Sequence, residues 1–149
     1  MNRVSTEQSL DNQEKPSLPQ AISGLPTGRL IEYVLEKLFA LCPEIDAGIV
    51  ATYEGLLLGA RAREQDEAED VGAITSLILE ENARILRELD HGRVTQLLIV
   101  GTQGYTLLKT VGDAAFLAVT SRGNAMQRAT YHAFLKAARA VEVLDGWLN

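Results

Sequence analysis

Cysteine is almost missing from this chain: Cys42 stands alone among 149 residues. One thiol excludes an intrachain disulfide and fits a reducing compartment. Histidine is nearly as scarce, with only His91 and His132, far apart in sequence. One cysteine and two separated histidines leave little material for a zinc site, and no cofactor is expected. No run of roughly 18 apolar residues occurs, so no membrane span is expected. The N-terminus lacks the apolar core of a secretory signal, which makes the cytoplasm the default location. Basic clusters are absent too: 14 Lys and Arg are scattered among 20 Asp and Glu, for a net charge of -6. That balance favours solubility and argues against a general nucleic-acid or anionic-membrane role. Neither a G-x-x-x-x-G-K-[ST] loop nor a strand-linked G-x-G-x-x-G is present. No nucleophile–base pair stands in a recognisable context, and an enzyme is not expected.

What is present suffices for one domain with a real core: 149 residues, 46% of them hydrophobic. Residues 1–26 read as a polar tail holding Pro16, Pro19 and Pro26, three of the four prolines. Its few apolar residues show no period and cannot offset the entropy of ordering the segment, so disorder is expected. The functional alternative is a short docking segment around Ile22 and Leu25. A domain is expected over residues 27–146. It opens with a helix over about Thr27 to Cys42, where Leu30, Val34, Leu38 and Leu41 recur at helical spacing and Ile31 and Leu35 widen the stripe. Pro43 stops it. Cys42 reads as a small buried apolar residue rather than a reactive thiol.

Two strands follow, Ile45–Tyr53 and Gly55–Ala62, as a hairpin turning at Glu54-Gly55. Gly48 and Gly59 read as points of close helix packing. An acidic loop, Arg63 to Asp70, leads into a helix over about Glu67 to Asp90, closed near Gly92. Its acids favour the positive helix end, and Asp66 with Glu69 has the spacing of a capping box. On this helix Val71, Ile74, Ile78, Ile85 and Leu89 make one apolar face, suited to covering the chain's own sheet. Gly72, Leu79, Ala83 and Leu86 extend the arc to roughly half the cylinder, more than a covering helix needs. The excess predicts a second copy packing there, with small residues at 72 and 83 allowing close approach. Asn82 lies within the arc, either satisfied locally or fixing the register of a helix pair. Glu80, Arg84, Arg87 and Glu88 make the solvated face.

A strand over Arg93–Gly101 comes next, then Gly104–Val111 and Ala114–Thr120, the last two joined at Gly112-Asp113. A two-residue turn there would place Leu108, Ala115, Leu117 and Val119 on one face. Leu107, Val111, Phe116 and Ala118 would lie on the other, with Tyr105 and Lys109 as its polar exceptions. Both faces are apolar, so helices should cover both. The last helix runs from about Asn124, its N-cap, to Leu144. Its expected buried stripe is Met126, Ala129, Ala133, Ala137, Val141 and Leu144, and Trp147 would cap the domain edge.

The order α-β-β-α-β-β-β-α, with Ile45-Asp46-Ala47-Gly48-Ile49-Val50, the hairpin Tyr53-Glu54-Gly55-Leu56-Leu57-Leu58-Gly59 and the helix end Leu89-Asp90-His91-Gly92, resembles the roadblock/LC7 family. So do Gln96-Leu97-Leu98-Ile99-Val100, Gly104-Tyr105-Thr106-Leu107-Leu108 and Val111-Gly112-Asp113 through Leu117-Ala118-Val119. The family includes dynein light chains and bacterial MglB-type regulators. The resemblance covers about residues 27–145 and departs in the first hairpin, where relatives often carry Asp-x-Gly. It implies an α+β (α/β) fold: a five-stranded antiparallel sheet with helix two on one face and helices one and three on the other. It also implies dimerisation through helix two and strand three, as a homodimer or with a paralogous roadblock protein. Relatives act as scaffolds or regulators of Ras-like small GTPases, and the MglB-type ones stimulate hydrolysis through the paired second helices.

Carried onto this chain, the expected dimer interface is Gly72, Leu79, Asn82, Ala83, Leu86, Arg93, Thr95 and Leu97. The expected GTPase-docking residues are Glu80, Arg84 and Arg87. Leu79→Asp or Leu86→Asp would then yield monomers. The competing expectation is a small-ligand sensor of the PAS or GAF type, which needs a pocket between sheet and helix.

Overall fold

Helix α1 (Thr27–Leu41) ends two residues before Pro43, whose ring excludes the helical conformation from the residue ahead of it. The structure, a computed structural model, describes residues 27–64, 66–123 and 125–148. The expected tail and the expected cap at Asn124 lie outside the described residues, as do the side chains of Leu144 and Trp147. After α1 come β1 (Ala47–Thr52), β2 (Leu57–Ala62), α2 (Glu67–Glu88), β3 (Gln96–Gly101), β4 (Gly104–Val111), β5 (Ala115–Arg122) and α3 (Arg128–Leu148). The strands form one antiparallel sheet in the order β2-β1-β5-β4-β3, which leaves β2 and β3 as its edges.

Both faces of the sheet are covered, as two apolar faces require. On one side α1 and α3 pack over Val50, Leu107, Val111, Leu117 and Val119, with Leu35, Leu38 and Phe134 at the centre. On the other, α2 packs over Ile49, Ala51, Leu108, Phe116 and Ala118. The expected membership of these faces needs one correction. Val111 pairs with Ala115, so the β4–β5 loop has three residues, Gly112 to Ala114, instead of two. A slip of one residue reverses every side chain of a strand. Leu107 and Val111 therefore join Ala115, Leu117 and Val119 under α1 and α3, while Leu108 joins Phe116 and Ala118 under α2.

Smaller departures have local causes. Leu41, expected on the buried stripe, is 70% exposed because α1 ends there. Ala129 is exposed; Ala137 and Val141 are buried as expected, and Thr130, Phe134 and Ala138 are buried with them. Asp66 precedes α2 without a side-chain cap bond, so the capping box does not form. Glu67, Glu69 and Asp70 still place negative charge on the first turn, and Glu67 accepts a hydrogen bond from Arg122 at 2.9 Å.

Gly48 and Gly59 mark the closest approach of α1 to the hairpin. A β-carbon at Gly48 would stand 3.1 Å from the Phe39 ring, and one at Gly59 would overlap the Ile31 side chain. Gly59→Ala should therefore lower stability by roughly 1–3 kcal/mol through overpacking. Thermal denaturation measures it. Ile31→Ala in the same chain should relieve part of the loss, and strictly additive effects would show that the two sites do not touch.

Candidate functional site

Helix α2 is amphipathic twice over, and burial separates its two apolar flanks. Ala68, Val71, Gly72, Thr75 and Leu79 are buried against the sheet, with Ala83 and Leu86 packed beside them. Ile74, Leu77, Ile85 and Leu89 are left exposed, at 57%, 65%, 40% and 55%. Of the face assigned to the chain's own sheet, only Val71 is fully buried. Of the face assigned to a second copy, Gly72 and Leu79 sit in the chain's own core. Val71 faces the sheet as expected, but Gly72 and Leu79 join it in the core, and Ile74, Ile85 and Leu89 turn outward. The physical reason lies at Gly72. A β-carbon there would meet the Leu57 Cδ2 atom at 3.0 Å, so the small residue lets α2 approach its own hairpin.

The remaining expected interface residues divide as follows. Asn82 is half-buried and donates to the Ile78 carbonyl at 2.8 Å, so it is satisfied within its own helix. Leu97 is half-buried and packs against the α2-side core. Arg93 and Thr95 are exposed in the loop ahead of β3, where Arg93 lies 3.8 Å from Asp113 and the Thr95 carbonyl accepts from the Thr110 amide. None of the eight lies on the exposed ridge. Leu77, the most exposed large apolar residue of α2, falls between charged residues on the helix wheel, so helical spacing does not single it out.

The open edge of the sheet on this side is β3, whose Leu97 packs against the same core cluster as Leu86 of α2. β3 pairs only with β4, and Leu98, Ile99 and Val100 are exposed at 45%, 43% and 68%. Ile99 follows Leu97 by two residues and so shares the α2 face. β3 carries no charge, no proline and no bulge, the devices that normally protect an edge. β2, the opposite edge, has Arg61 and a register shift where it meets β1. The ridge of α2 and the strand β3 together make an apolar surface that water does not suit.

The expected docking residues lie elsewhere on α2. Arg84 bonds Glu81 and also Glu88, the latter at 3.2 Å. Glu80 and Arg87 line a groove of about 1560 Å³ between α2, the β1–β2 turn and the loop ahead of β3. The groove runs along the side of α2, with Leu79 and Val94 of the α2-side core in its lining. Its size exceeds the roughly 300–1,000 Å³ of small-molecule sites. Among the described residues no three His, Cys, Asp or Glu side chains converge as metal ligands, and no helix is long and apolar enough to cross a membrane.

Cys42 is buried below the end of α1. Burial raises its thiol pKa above the ordinary value of 9.0, and the nearby Glu44 charge adds to the shift against an opposing hydrogen bond from Thr130. Burial followed by the Glu44 charge likewise raises the Tyr105 hydroxyl. A raised value means that the folded state holds its proton more tightly than the unfolded chain does. The associated stability is present below pH 9.0 and is lost as pH rises through the folded value. Iodoacetamide at neutral pH should label Cys42 only as fast as the chain opens. Labelling of the native protein at the rate of the urea-unfolded protein would contradict the burial.

The comparisons with known proteins agree with this architecture. No curated protein sequence matches. MglB of Myxococcus xanthus superposes with a TM-score of 0.73 at 12% identity, over 81% of this chain and 91% of that one. A structure described as MglB with tetrameric arrangement gives a TM-score of 0.74 at 15% identity, over 90% and 98%. A Roadblock/LC7 domain from Streptomyces avermitilis gives 0.69 at 17% identity, over 78% and 96%. Similarities at such identities establish the fold. The sequence itself matches the Roadblock/LC7 domain over residues 31–121, well over half of the chain, and the protein belongs to that family.

Proposed function

We propose that this protein is a non-enzymatic regulator or scaffold of a Ras-like small GTPase, working as a dimer joined through α2 and β3. One observation carries the proposal: α2 leaves the apolar ridge Ile74, Ile85 and Leu89 exposed, and the unprotected edge strand β3 packs its Leu97 against the same core cluster as Leu86 of α2. Pairing β3 with its copy satisfies the free backbone groups of the edge and joins two sheets into one. The same two-fold axis brings two α2 ridges together, so a self-complementary patch closes into a dimer. In this interface Ile74, Ile85, Leu89 and Ile99 take the place of the buried Gly72 and Leu79, beside the expected β3 residue Leu97. MglB-type relatives support the GTPase part of the reading, and the tetrameric MglB structure supports self-association. A paralogous roadblock chain would fit the same surface.

The crest of α2 farthest from the sheet holds Leu77 and Arg84 and remains accessible in such a dimer, with Glu80 and Arg87 on its flank. The GTPase would dock there. The test is a pull-down of purified small GTPase, loaded with GDP or with a non-hydrolysable GTP analogue, on the immobilised protein. Retention that depends on the nucleotide is expected, together with its loss in Leu77→Asp. No retention of a cognate GTPase in either state sinks the regulatory reading.

A further inference from the structure

The side groove of α2 is preformed. The Ser76 hydroxyl donates to the Tyr53 carbonyl at 2.6 Å, tying the β1–β2 turn to the helix. The Tyr53 amide donates to the Ala114 carbonyl at 3.1 Å, tying the same turn to the β4–β5 loop. The floor is apolar, built from Leu57, Leu79, Ala83 and Val94, with Leu77 and the 68% exposed Leu56 at its rim. From Glu69 to Arg87 the groove follows α2 for about 27 Å at the rise of an α-helix. A channel of that length, with an apolar floor and one helical wall, matches an amphipathic helix better than a compact ligand.

Charge decides what kind of helix. Glu69, Glu54 and Glu80 line the groove from the start of α2 to past its middle, and none of them forms an ion pair among the described residues. At the other end Arg87 and Arg93 are offset by Asp90 and Asp113. The rim is thus negative from Glu69 to Glu80 and balanced only beyond it, toward Arg87 and Arg93. We propose that this groove is a second docking surface, distinct from the dimer ridge; it shares Leu77, Glu80 and Arg87 with the surface proposed for the GTPase, and its test uses no GTPase. Its occupant is an amphipathic helix of a partner protein with basic residues gathered at one end. Leucine-like side chains would fill the floor, and the basic end would lie over Glu54 and Glu69.

The test uses a fluorescein-labelled amphipathic peptide of about 18 residues with a leucine stripe and lysines in one half, and a counterpart with glutamates in place of the lysines. Anisotropy with the full chain should show the lysine probe binding and the glutamate probe not. Glu54→Lys with Glu69→Lys should weaken the lysine probe about tenfold or more, a change the size of two modest ion pairs. Glu32→Lys with Glu36→Lys changes the net charge equally on the exposed side of α1 and should leave binding within about twofold. Circular dichroism confirms that both variants are folded. Equal weakening by the two pairs would reduce the effect to net charge and overturn the proposal. So would equal binding of the two probes, no binding of either, or loss of binding in Ile85→Asp, which would place the probe on the ridge.

Discussion

Ile85→Asp is expected to turn a dimer into a folded monomer. Ile85 lies on the exposed ridge and makes no part of either core cluster, so an aspartate there costs the isolated chain little. In a two-fold interface the same substitution appears twice and brings two carboxylates into one apolar contact. Each unpaired charge left in a dry interface costs roughly 2–4 kcal/mol, so the dissociation constant should rise at least ~10³-fold. Sedimentation velocity would show the native protein at twice its chain mass of 16.2 kDa and the variant at that mass. The far-ultraviolet circular dichroism and the melting temperature of the variant at low concentration should match the native monomer. A native protein that already sediments as a monomer at micromolar concentration refutes the interface.

Leu79→Asp should behave very differently although the two positions are only six residues apart. Leu79 is 6% exposed and packs in the cluster formed by Ile49, Leu108 and Phe116. The carboxylate would be buried without a partner, at a cost of several kcal/mol beyond the lost packing. Even Leu79→Ala should cost about 2–5 kcal/mol. Against a total stability of roughly 5–15 kcal/mol, the charged variant should be largely unfolded at 37 °C. Urea denaturation followed by circular dichroism is the measurement. A soluble Leu79→Asp protein with the native midpoint would return Leu79 to the surface and restore the sequence assignment of the two faces. The paired outcome, folded monomer at 85 and unfolded chain at 79, tells which flank of α2 meets its own sheet.

The element order was legible because each element carries its own period. Leu30, Val34 and Leu38 announce a helix by spacing, Pro43 announces its end, and the apolar run Leu97 to Val100 announces a strand. The dual covering of the sheet was legible too, since β4 and β5 are apolar on both faces. Gly48 and Gly59 were identifiable as packing points, although only the structure shows Phe39 and Ile31 as the side chains that need the room. The candidate site was half legible. That α2 has more apolar surface than one sheet requires follows from composition around the wheel. The exposure of Leu98, Ile99 and Val100 does not, because a run of aliphatics reads the same in a central strand as at an edge.

The sequence by itself determined the inventory of elements, their order, and the surplus of apolar surface on α2. These depend on local period and composition, which every short window carries. The tertiary structure alone decided which flank of α2 faces inward, the pairing of Val111 with Ala115, and the place of β3 at the edge. Each is a choice between arrangements that are nearly equal locally: two apolar flanks, two loop lengths, two ends of a strand order. Non-local contacts make the choice, above all the fit of Gly72 beneath Leu57. That fit turns Leu79 into the core and leaves Ile74, Ile85 and Leu89 facing outward.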